Sequence, residues 1–261
     1  MKEHVLLVVG DKFAQFCANR DVMRLSQLRG LLTLPSVVPL EARRLVLLPG
    51  QGLGDADIAE VLRLAASSPH RALFDLGLWH QHPRRAPRSQ SHKHKPENTL
   101  ISEPRRIEED VYELDLLIDE NCELMADHQT GQHVQGMILM EAARQSFLAV
   151  TEAFFLPDGA AFYFVINEMT ARYARFAFPL DARIRYTIRS RELSARRRHF
   201  VADIAVEQCG ANTASFVTDF TVFEDARISS REAVLAAEAV DQHLAAFHER
   251  RNAGDRLAAV A

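Results

Sequence analysis

The apolar residues of the first part of the chain form short continuous runs separated by stretches with helical character. One run covers residues 4–9, a second covers residues 43–54 and ends in a Pro/Gly turn, and a third covers residues 71–79. Asp55 offers an N-cap for a helix after the second run. Continuous apolar strands that alternate with helices are typical of parallel pairing. The pattern predicts a small α/β domain over residues 1–80.

The pattern is lost over residues 81–107, which are rich in Pro, Arg, Lys and His and carry few apolar side chains. Such a segment cannot bury enough surface to fold alone. We therefore expect a flexible basic linker. Its histidines lack acidic or cysteine neighbours that would complete a metal site, and its basic residues oppose a cation, so no metal is predicted.

Residues 108–226 show a different order of elements. A strand at residues 111–119 is followed by an apolar stretch that ends near Phe155. This stretch is too long for a strand and is apolar on every face, as expected of a buried helix. Four later segments alternate with period two and favour antiparallel strands, the last two joined by a turn at residues 209–212. Together these elements predict an α+β fold in which an antiparallel sheet wraps one long helix.

The end of the chain and the composition limit the class of protein further. Residues 227–261 predict an amphipathic helix and a tail. The formal net charge is -4 and the pI is about 6.3, which excludes a global basic field for nucleic acid or acidic membranes. The three cysteines form no C-x-x-C pair, and no apolar run approaches the roughly 18 residues of a membrane helix. We expect a cytoplasmic protein.

The candidate chemistry lies at the start of the predicted helix, in "DHQTGQHVQGMILMEAARQ", residues 127–145. Glu141 interrupts an otherwise apolar helix, and a buried carboxylate without a partner is costly. Arg144 and Gln145 follow at i+3 and i+4, so either can meet it. One interpretation is a structural pair. The other is a desolvated carboxylate with a raised pKa that acts as a general acid or base.

This stretch resembles the A-factor biosynthesis (AfsA-like) family of hotdog domains, which carry the pattern D-H-x-x-x-x-H-V-x-G-M-x-L-x-E-A-x-R-Q. Every lettered position is filled between Asp127 and Gln145. The resemblance implies a single hotdog fold over residues 108–226. Members typically carry two tandem hotdog domains, so it also implies a homodimer of this chain. A weaker likeness runs to the β-hydroxyacyl carrier-protein dehydratases.

The resemblance also implies an acyltransferase, and we expect no cofactor. It would move a β-ketoacyl group from an acyl carrier protein, or a CoA thioester, to the hydroxyl of a small acceptor similar to glycerone phosphate. A dehydratase, a thioesterase and a non-catalytic acyl-binding or scaffolding module remain alternatives. The expected catalytic residues are Glu141, His128, His133 and Asp127. The expected substrate-binding residues are Gly136, Met137, Arg144, Gln145, Arg183 and Arg185.

The expectations for Gly136, Arg183 and Arg185 depend on position in the fold. Gly136 and the helix N-terminus offer free N–H groups to a thioester oxyanion. Arg183 and Arg185 share one face of a strand, where they either attract an acidic carrier protein or form a solvated face paired with acidic residues. The glycines of "GQGLG", residues 50–54, lack the G-x-G-x-x-G spacing and the lysine of a phosphate loop, so a nucleotide site is not favoured.

Overall fold

The structure is a computed structural model. It describes residues 3–35, 44–126, 129–157, 161–194 and 197–258, without the side chains of residues 225–227 and 252–258.

The N-terminal part of the described chain is a parallel sheet with helices, as predicted. Its elements are β1 (Glu3–Val9), β2 (Val22–Arg24), α1 (Leu25–Leu32), β3 (Arg44–Pro49), α2 (Asp55–Ser67) and β4 (Phe74–Asp75), with the strands in the order β2-β1-β3-β4. All three strand pairings are parallel.

The predicted length of the strand over residues 71–79 is wrong. Only Phe74 and Asp75 pair with β3, and Gly77–His80 form a short helix, α3. Trp79 within α3 is 1% exposed and donates its indole N–H to the backbone carbonyl of Leu47 at 3.1 Å. The helical turn satisfies this buried indole and ends the strand early.

The two faces of the parallel sheet pack against different partners. Val8 belongs to an apolar cluster with α1 and α2, whereas Val9, the next residue, belongs to the core of the following domain. Successive residues of a strand point to opposite faces, and parallel sheets need both faces covered. Phe13 and Phe16 join the same core as Val9. The C-terminal domain therefore supplies the layer that helices supply in a free-standing α/β domain.

The segment predicted as a flexible linker is docked against this second core. It contains a helix, α4 (Arg88–Ser91), and the side chains of Ala86, Leu100 and Ile101 are buried. The guanidinium of Arg85, with a side chain 5% exposed, donates hydrogen bonds to the carbonyls of Leu53, Thr99 and Leu117. The few apolar residues suffice because neighbouring elements complete their burial. The domain boundaries themselves remain predictions.

The rest of the described chain is an antiparallel sheet and a long helix. The elements are β5 (Arg105–Glu108), β6 (Val111–Asp115), α5 (Gly136–Phe155), β7 (Phe162–Tyr173), β8 (Arg183–Leu193), β9 (Arg198–Gln208), β10 (Ala211–Glu224) and α6 (Asp225–Ala258). The strand order is β5-β6-β8-β9-β10-β7. The predicted end of the central helix at Phe155 is confirmed. The core lies between α5 and the sheet and includes stacked pairs that Phe220 makes with Phe147 and Phe200.

The turn between β9 and β10 also follows the sequence. Cys209 and Gly210 both adopt positive φ, 52° and 72°. Two central residues with positive φ define the type I′ turn that matches the twist of a hairpin. After β10 the chain enters α6, which is exposed from Ser230 to Arg251. No helix among the described residues is long and apolar enough to cross a membrane.

Candidate active site

Glu141 lies in the second turn of α5 and is the centre of a polar cluster. Its Oε2 accepts a hydrogen bond from Arg144 Nε at 2.8 Å, and its Oε1 accepts one from Arg144 Nη2 at 2.9 Å. Gln145 Nε2 donates to the same Oε1 at 3.0 Å, and Lys93 Nζ lies 2.7 Å from it. The Glu141 side chain is 18% exposed. The contacts with Arg144 and Gln145, expected from their spacing on the helix, are confirmed.

Lys93 is the member of this cluster that sequence reasoning missed. It comes from the segment predicted as a linker, and its side chain is 24% exposed. Within "SHKHK" no local signal separates it from Lys95. The only signal in the sequence is indirect: an ionised carboxylate in an apolar helix requires a cationic partner. This requirement does not identify Lys93, because Arg144 and many other basic residues could also meet it.

The cluster lowers the pKa of Glu141, contrary to the raised value expected from the sequence. Burial disfavours the charged form and acts to raise the pKa. Hydrogen bonds from Arg144 and Lys93, the charge of Arg144 and the hydrogen bond from Gln145 outweigh it and lower the pKa to about 2. Glu141 is therefore ionised at neutral pH and is a hydrogen-bond acceptor and a weak base.

Gln145 is fully buried, and its amide is used inside the protein. Besides Glu141, its Nε2 donates to the carbonyl of Asn98 at 2.9 Å, and its Oε1 accepts from the N–H of Leu100 at 2.8 Å. The predicted substrate-binding role does not fit these bonds. Gln145 instead attaches the chain at residues 98–100 to α5.

A cavity of about 370 Å³ lies beside the cluster. Lys93, Glu141 and Arg144 line it together with Asn98 and Glu123. Its remaining walls are apolar or weakly polar: Cys122, Leu124, Met137, Met140, Ile166 and Met169. Two of the predicted substrate-binding residues, Met137 and Arg144, thus line a cavity next to Glu141. The site combines apolar walls with a charged cluster.

His133 lies before α5 and contacts Thr130 and Phe176. Its Nδ1 is 3.2 Å from the hydroxyl of Thr130, and its ring lies 4.8 Å from that of Phe176, measured between centroids. Among the residues that the structure describes, no contact joins His133 to Glu141. Asp127 and His128 lie outside the described residues. The predicted pairing of a histidine with Glu141 therefore stays a prediction.

Gly136, the first residue of α5, allows the close approach of Tyr173, whereas the sequence predicted the approach of a ligand. A Cβ atom there would lie 2.9 Å from the ring of Tyr173, whose hydroxyl donates to the Gly136 carbonyl at 2.9 Å. The missing side chain makes room for Tyr173. Whether the helix N-terminus also holds a ligand oxyanion remains a prediction.

Arg183 and Arg185 lie away from the cavity. On β8 they alternate with Ile184 and Tyr186, which are both fully buried on the core face. Arg183 pairs with Glu113 at 3.3 Å, and Arg185 pairs with Glu108 at 3.4 Å. These arginines occupy the outer face of the sheet, as in the solvated alternative, and the structure does not bring them to Glu141.

The N-terminal domain supports the loop that leads into α5. The N–H of Phe16 donates to the carbonyl of Gly131 at 2.9 Å, and Lys12 Nζ donates to the carbonyl of Met125 at 3.0 Å. A Cβ at Gly131 would lie 3.3 Å from Gln15 Cγ, and its φ is 70°. The N-terminal domain therefore holds the chain on both sides of residues 127–128.

The glycine run at residues 50–54 lies at the junction between the two domains. Gln51 is 4% exposed; its Nε2 donates to the carbonyl of Leu116 at 2.8 Å, and its Oε1 accepts from the N–H of Ile118 at 2.7 Å. The N–H of Gly52 donates to the carbonyl of Ile118 at 2.9 Å. A Cβ at Gly54 would lie 2.3 Å from Asp119 Oδ2. The glycines thus permit the close approach of residues 118 and 119.

The six-stranded antiparallel sheet and its long helix define a hotdog-domain protein. The family model of the A-factor biosynthesis hotdog domain (AfsA) matches residues 77–224, and the chain belongs to this family. The match includes the docked segment that carries Lys93. No curated protein sequence matches the chain.

Several solved structures resemble the chain over about half of its length. The PaaI protein from the phenylacetic acid degradation operon of E. coli is 15% identical, with a TM-score of 0.34 over 47% of this chain and 82% of that one. A thioesterase of Haemophilus influenzae is 18% identical, with a TM-score of 0.34 over 48% and 78%. A Bacillus halodurans protein solved with CoA is 19% identical, with a TM-score of 0.35 over 47% and 74%. Likenesses at this level carry no argument about function.

Proposed function

We propose that the protein is an acyl-thioester-using enzyme of butyrolactone-type signal or secondary-metabolite biosynthesis. Its specific reaction is transfer of a β-ketoacyl group from an acyl carrier protein, or from a CoA thioester, to the hydroxyl of a small acceptor similar to glycerone phosphate. Membership of the A-factor biosynthesis family supports the pathway class. The cavity beside Glu141 supports the reaction class.

The observation that carries the proposal is the combination in one cavity of apolar walls and the charged cluster around Glu141. Three methionines, Met137, Met140 and Met169, line it, and methionine adapts to flexible apolar ligands. Its volume of about 370 Å³ is within the range of small-molecule sites. An acyl chain would occupy the apolar part, with the thioester next to the polar cluster.

The charge of Glu141 limits its role in this reaction. With a pKa of about 2 it would orient the acceptor hydroxyl through a hydrogen bond, and it would not hold the proton for long. The hydroxyl oxygen forms a bond to the thioester carbonyl carbon, and the C–S bond breaks. The hydroxyl proton passes through Glu141, or through His128 or His133, to the departing thiolate, giving an ester and a free thiol.

A homodimer is part of the proposal. β7 is an edge strand in the described sheet and exposes Tyr163, Ile166 and Tyr173 by 37%, 42% and 47%. Ile166 and Met169 of this strand also line the cavity. A second copy paired along β7 would cover the exposed edge and close the cavity on that side. Light scattering after size exclusion measures the mass, and a monomer at micromolar concentration would contradict this part.

The reaction is tested by mass spectrometry of the purified protein incubated with a β-ketoacyl carrier-protein thioester, with and without the acceptor. A transferase gives the ester and free thiol only when the acceptor is present. A thioesterase gives free acid without it, and a dehydratase would act on a β-hydroxyacyl thioester. Glu141→Gln is expected to lower ester formation by on the order of 1,000-fold. Glu192→Gln on β8, whose carboxylate is 68% exposed and pairs with Arg197 away from this cavity, is the control.

One observation favours a second candidate, a non-catalytic acyl-binding module. The Glu141 carboxylate is paired with Lys93 and Arg144, as a purely structural carboxylate would be. This candidate predicts that the thioester binds but stays intact, and that Glu141→Gln leaves its affinity unchanged. Equilibrium binding of the thioester next to the product assay separates the two.

A further inference from the structure

The segment of residues 88–98, called the strap here, crosses α5 beside the cavity. On one side of Lys93, His92 Nε2 lies 2.8 Å from Glu152 Oε1. On the other side, Gln145 Nε2 donates to the backbone carbonyl of residue 98 at 2.9 Å. Both anchoring residues, Glu152 and Gln145, belong to α5. Lys93 is therefore held from both directions against the helix that carries the site.

Two lysines of the strap differ in their surroundings. Lys93 is 24% exposed and lies 2.7 Å from Glu141, which is 18% exposed. Lys95 is 59% exposed and lies 2.6 Å from Glu123, which is 65% exposed. Exposed pairs contribute little, whereas a desolvated cation is costly and stays only where its surroundings compensate it. Lys95 is thus a natural control for Lys93.

The hydrogen bonds of the cluster leave capacity for a ligand. Glu141 Oε1 faces Arg144, Gln145 and Lys93, whereas Oε2 accepts from Arg144 alone among the described residues. A carboxylate oxygen has about two acceptor sites, so Oε2 retains one. Within the same described residues, Lys93 Nζ pairs with Glu141 only, and an ammonium group has three donors. A donor and an acceptor thus line one cavity.

We propose that Lys93 is a catalytic residue, whose ammonium group donates a hydrogen bond to the carbonyl oxygen of the bound thioester. This role rests on the proposed transferase function. As the acceptor hydroxyl attacks, the carbonyl π electrons move to the oxygen, where Lys93 stabilises the negative charge. The electrons return as the C–S bond breaks, and Lys93 keeps its proton throughout.

The test compares Lys93→Met and Lys95→Met, both of which replace the ammonium group by an uncharged side chain of similar length. We measure kcat and KM for ester formation across pH, with circular dichroism and thermal unfolding to confirm the fold. Loss of a single oxyanion donor typically lowers kcat by on the order of 100- to 1,000-fold. We expect this loss for Lys93→Met with little change in KM, and near-wild-type kinetics for Lys95→Met.

Two further readouts distinguish catalysis from support of the fold. Removing the cation raises the pKa of Glu141, so the acid limb of the pH–rate profile of Lys93→Met moves to higher pH. Lys93→Arg keeps the positive charge, and we expect it to retain more of kcat than Lys93→Met. If Lys93→Met does not fold, the kinetics of Lys93→Arg test the role of Lys93. If wild-type and Lys93→Met form ester at equal rates, the role of Lys93 is refuted. If wild-type protein forms no ester, the transferase proposal fails and the role of Lys93 fails with it.

Discussion

Two regions of the molecule have features that are typical of ligand-binding sites: the carboxyl edge of the parallel sheet and the start of α5. The carboxyl edge of the parallel sheet has a glycine run after β3, where open α/β sheets ordinarily bind ligands. The start of α5 has a charged cluster. At the sheet edge, the backbone of residues 51 and 52 and the side chain of Gln51 are bonded to the hotdog domain. Beside α5, the cluster borders a cavity of about 370 Å³. The sheet edge also borders a cavity, of about 280 Å³, lined by Gly50, Gln51 and Leu53. The two regions therefore differ in the use of their polar groups: Gln51 and Gly52 are bonded to residues 116 and 118, whereas Lys93 and Glu141 retain hydrogen-bonding capacity for a ligand.

The largest effect on stability is expected at the junction. A Cβ at Gly10 would lie 2.4 Å from the Gly52 carbonyl oxygen and 2.7 Å from Glu120 Oε2. Because the nearest atom is backbone, Gly10→Ala should lower the free energy of unfolding by about 3 kcal/mol. Urea denaturation measures the change. Equal stability of the variant and the wild type would show that the backbone at Gly52 shifts readily and would contradict tight packing at this junction.

Gly30→Ala is the matched control for this prediction. Gly30 lies in α1, and a Cβ there would meet no atom within 4 Å. Alanine should therefore stabilise the helix by about 0.5–1 kcal/mol. Opposite signs for the two glycine substitutions would assign the loss at Gly10 to its close approach to Gly52 and Glu120.

The next effect concerns the charge of Glu141. Its folded pKa, about 2, is below its ordinary value of 4.5, so its contribution to stability is present above about pH 4.5 and is lost as the pH falls toward 2. At pH 7, Glu141→Gln should cost about 2 kcal/mol, less than ideal linkage because the pair is partly solvated. Urea denaturation at pH 7, 4.5 and 3 should show this cost shrinking. A cost independent of pH would mean that Glu141 is not held ionised.

The smallest effect is expected on the outer face of the sheet. Arg185 and Glu108 are 51% and 63% exposed, and their charged atoms are 3.4 Å apart. Arg185→Met should change stability by less than about 1 kcal/mol and leave ester formation unaltered. Kinetics with a carrier-protein donor check this directly. A large rise in KM for the carrier protein would show that this face of the sheet contributes to carrier binding.

Part of the fold and of the candidate site could be predicted from the sequence, because these features depend on local signals. α5 and the four long strands follow from the periodicity of apolar residues, and the turn at Cys209 and Gly210 follows from turn chemistry. The contacts of Glu141 with Arg144 and Gln145 follow from helical spacing.

The remaining features depend on contacts between distant segments. Lys93 reaches Glu141 across 48 positions of sequence, from a segment whose composition is typical of a linker, so the lowered pKa of Glu141 could not be deduced from α5 alone. Likewise, nothing within residues 50–54 indicates that Gln51 is bonded to residues 116 and 118. These are tertiary contacts, and composition does not encode them.

The most direct test of the central claim is methyl NMR of protein labelled at its six methionines, titrated with a non-hydrolysable thioether analogue of the β-ketoacyl thioester. Met137, Met140 and Met169 line the cavity, whereas Met23 belongs to β2 of the N-terminal sheet. Single Met→Leu variants assign the signals. We predict saturable shifts of the three cavity methyl groups and an unchanged Met23 signal. A saturable shift of Met23 with the three cavity signals unmoved, or no shift at any methionine, would contradict an acyl site beside Glu141.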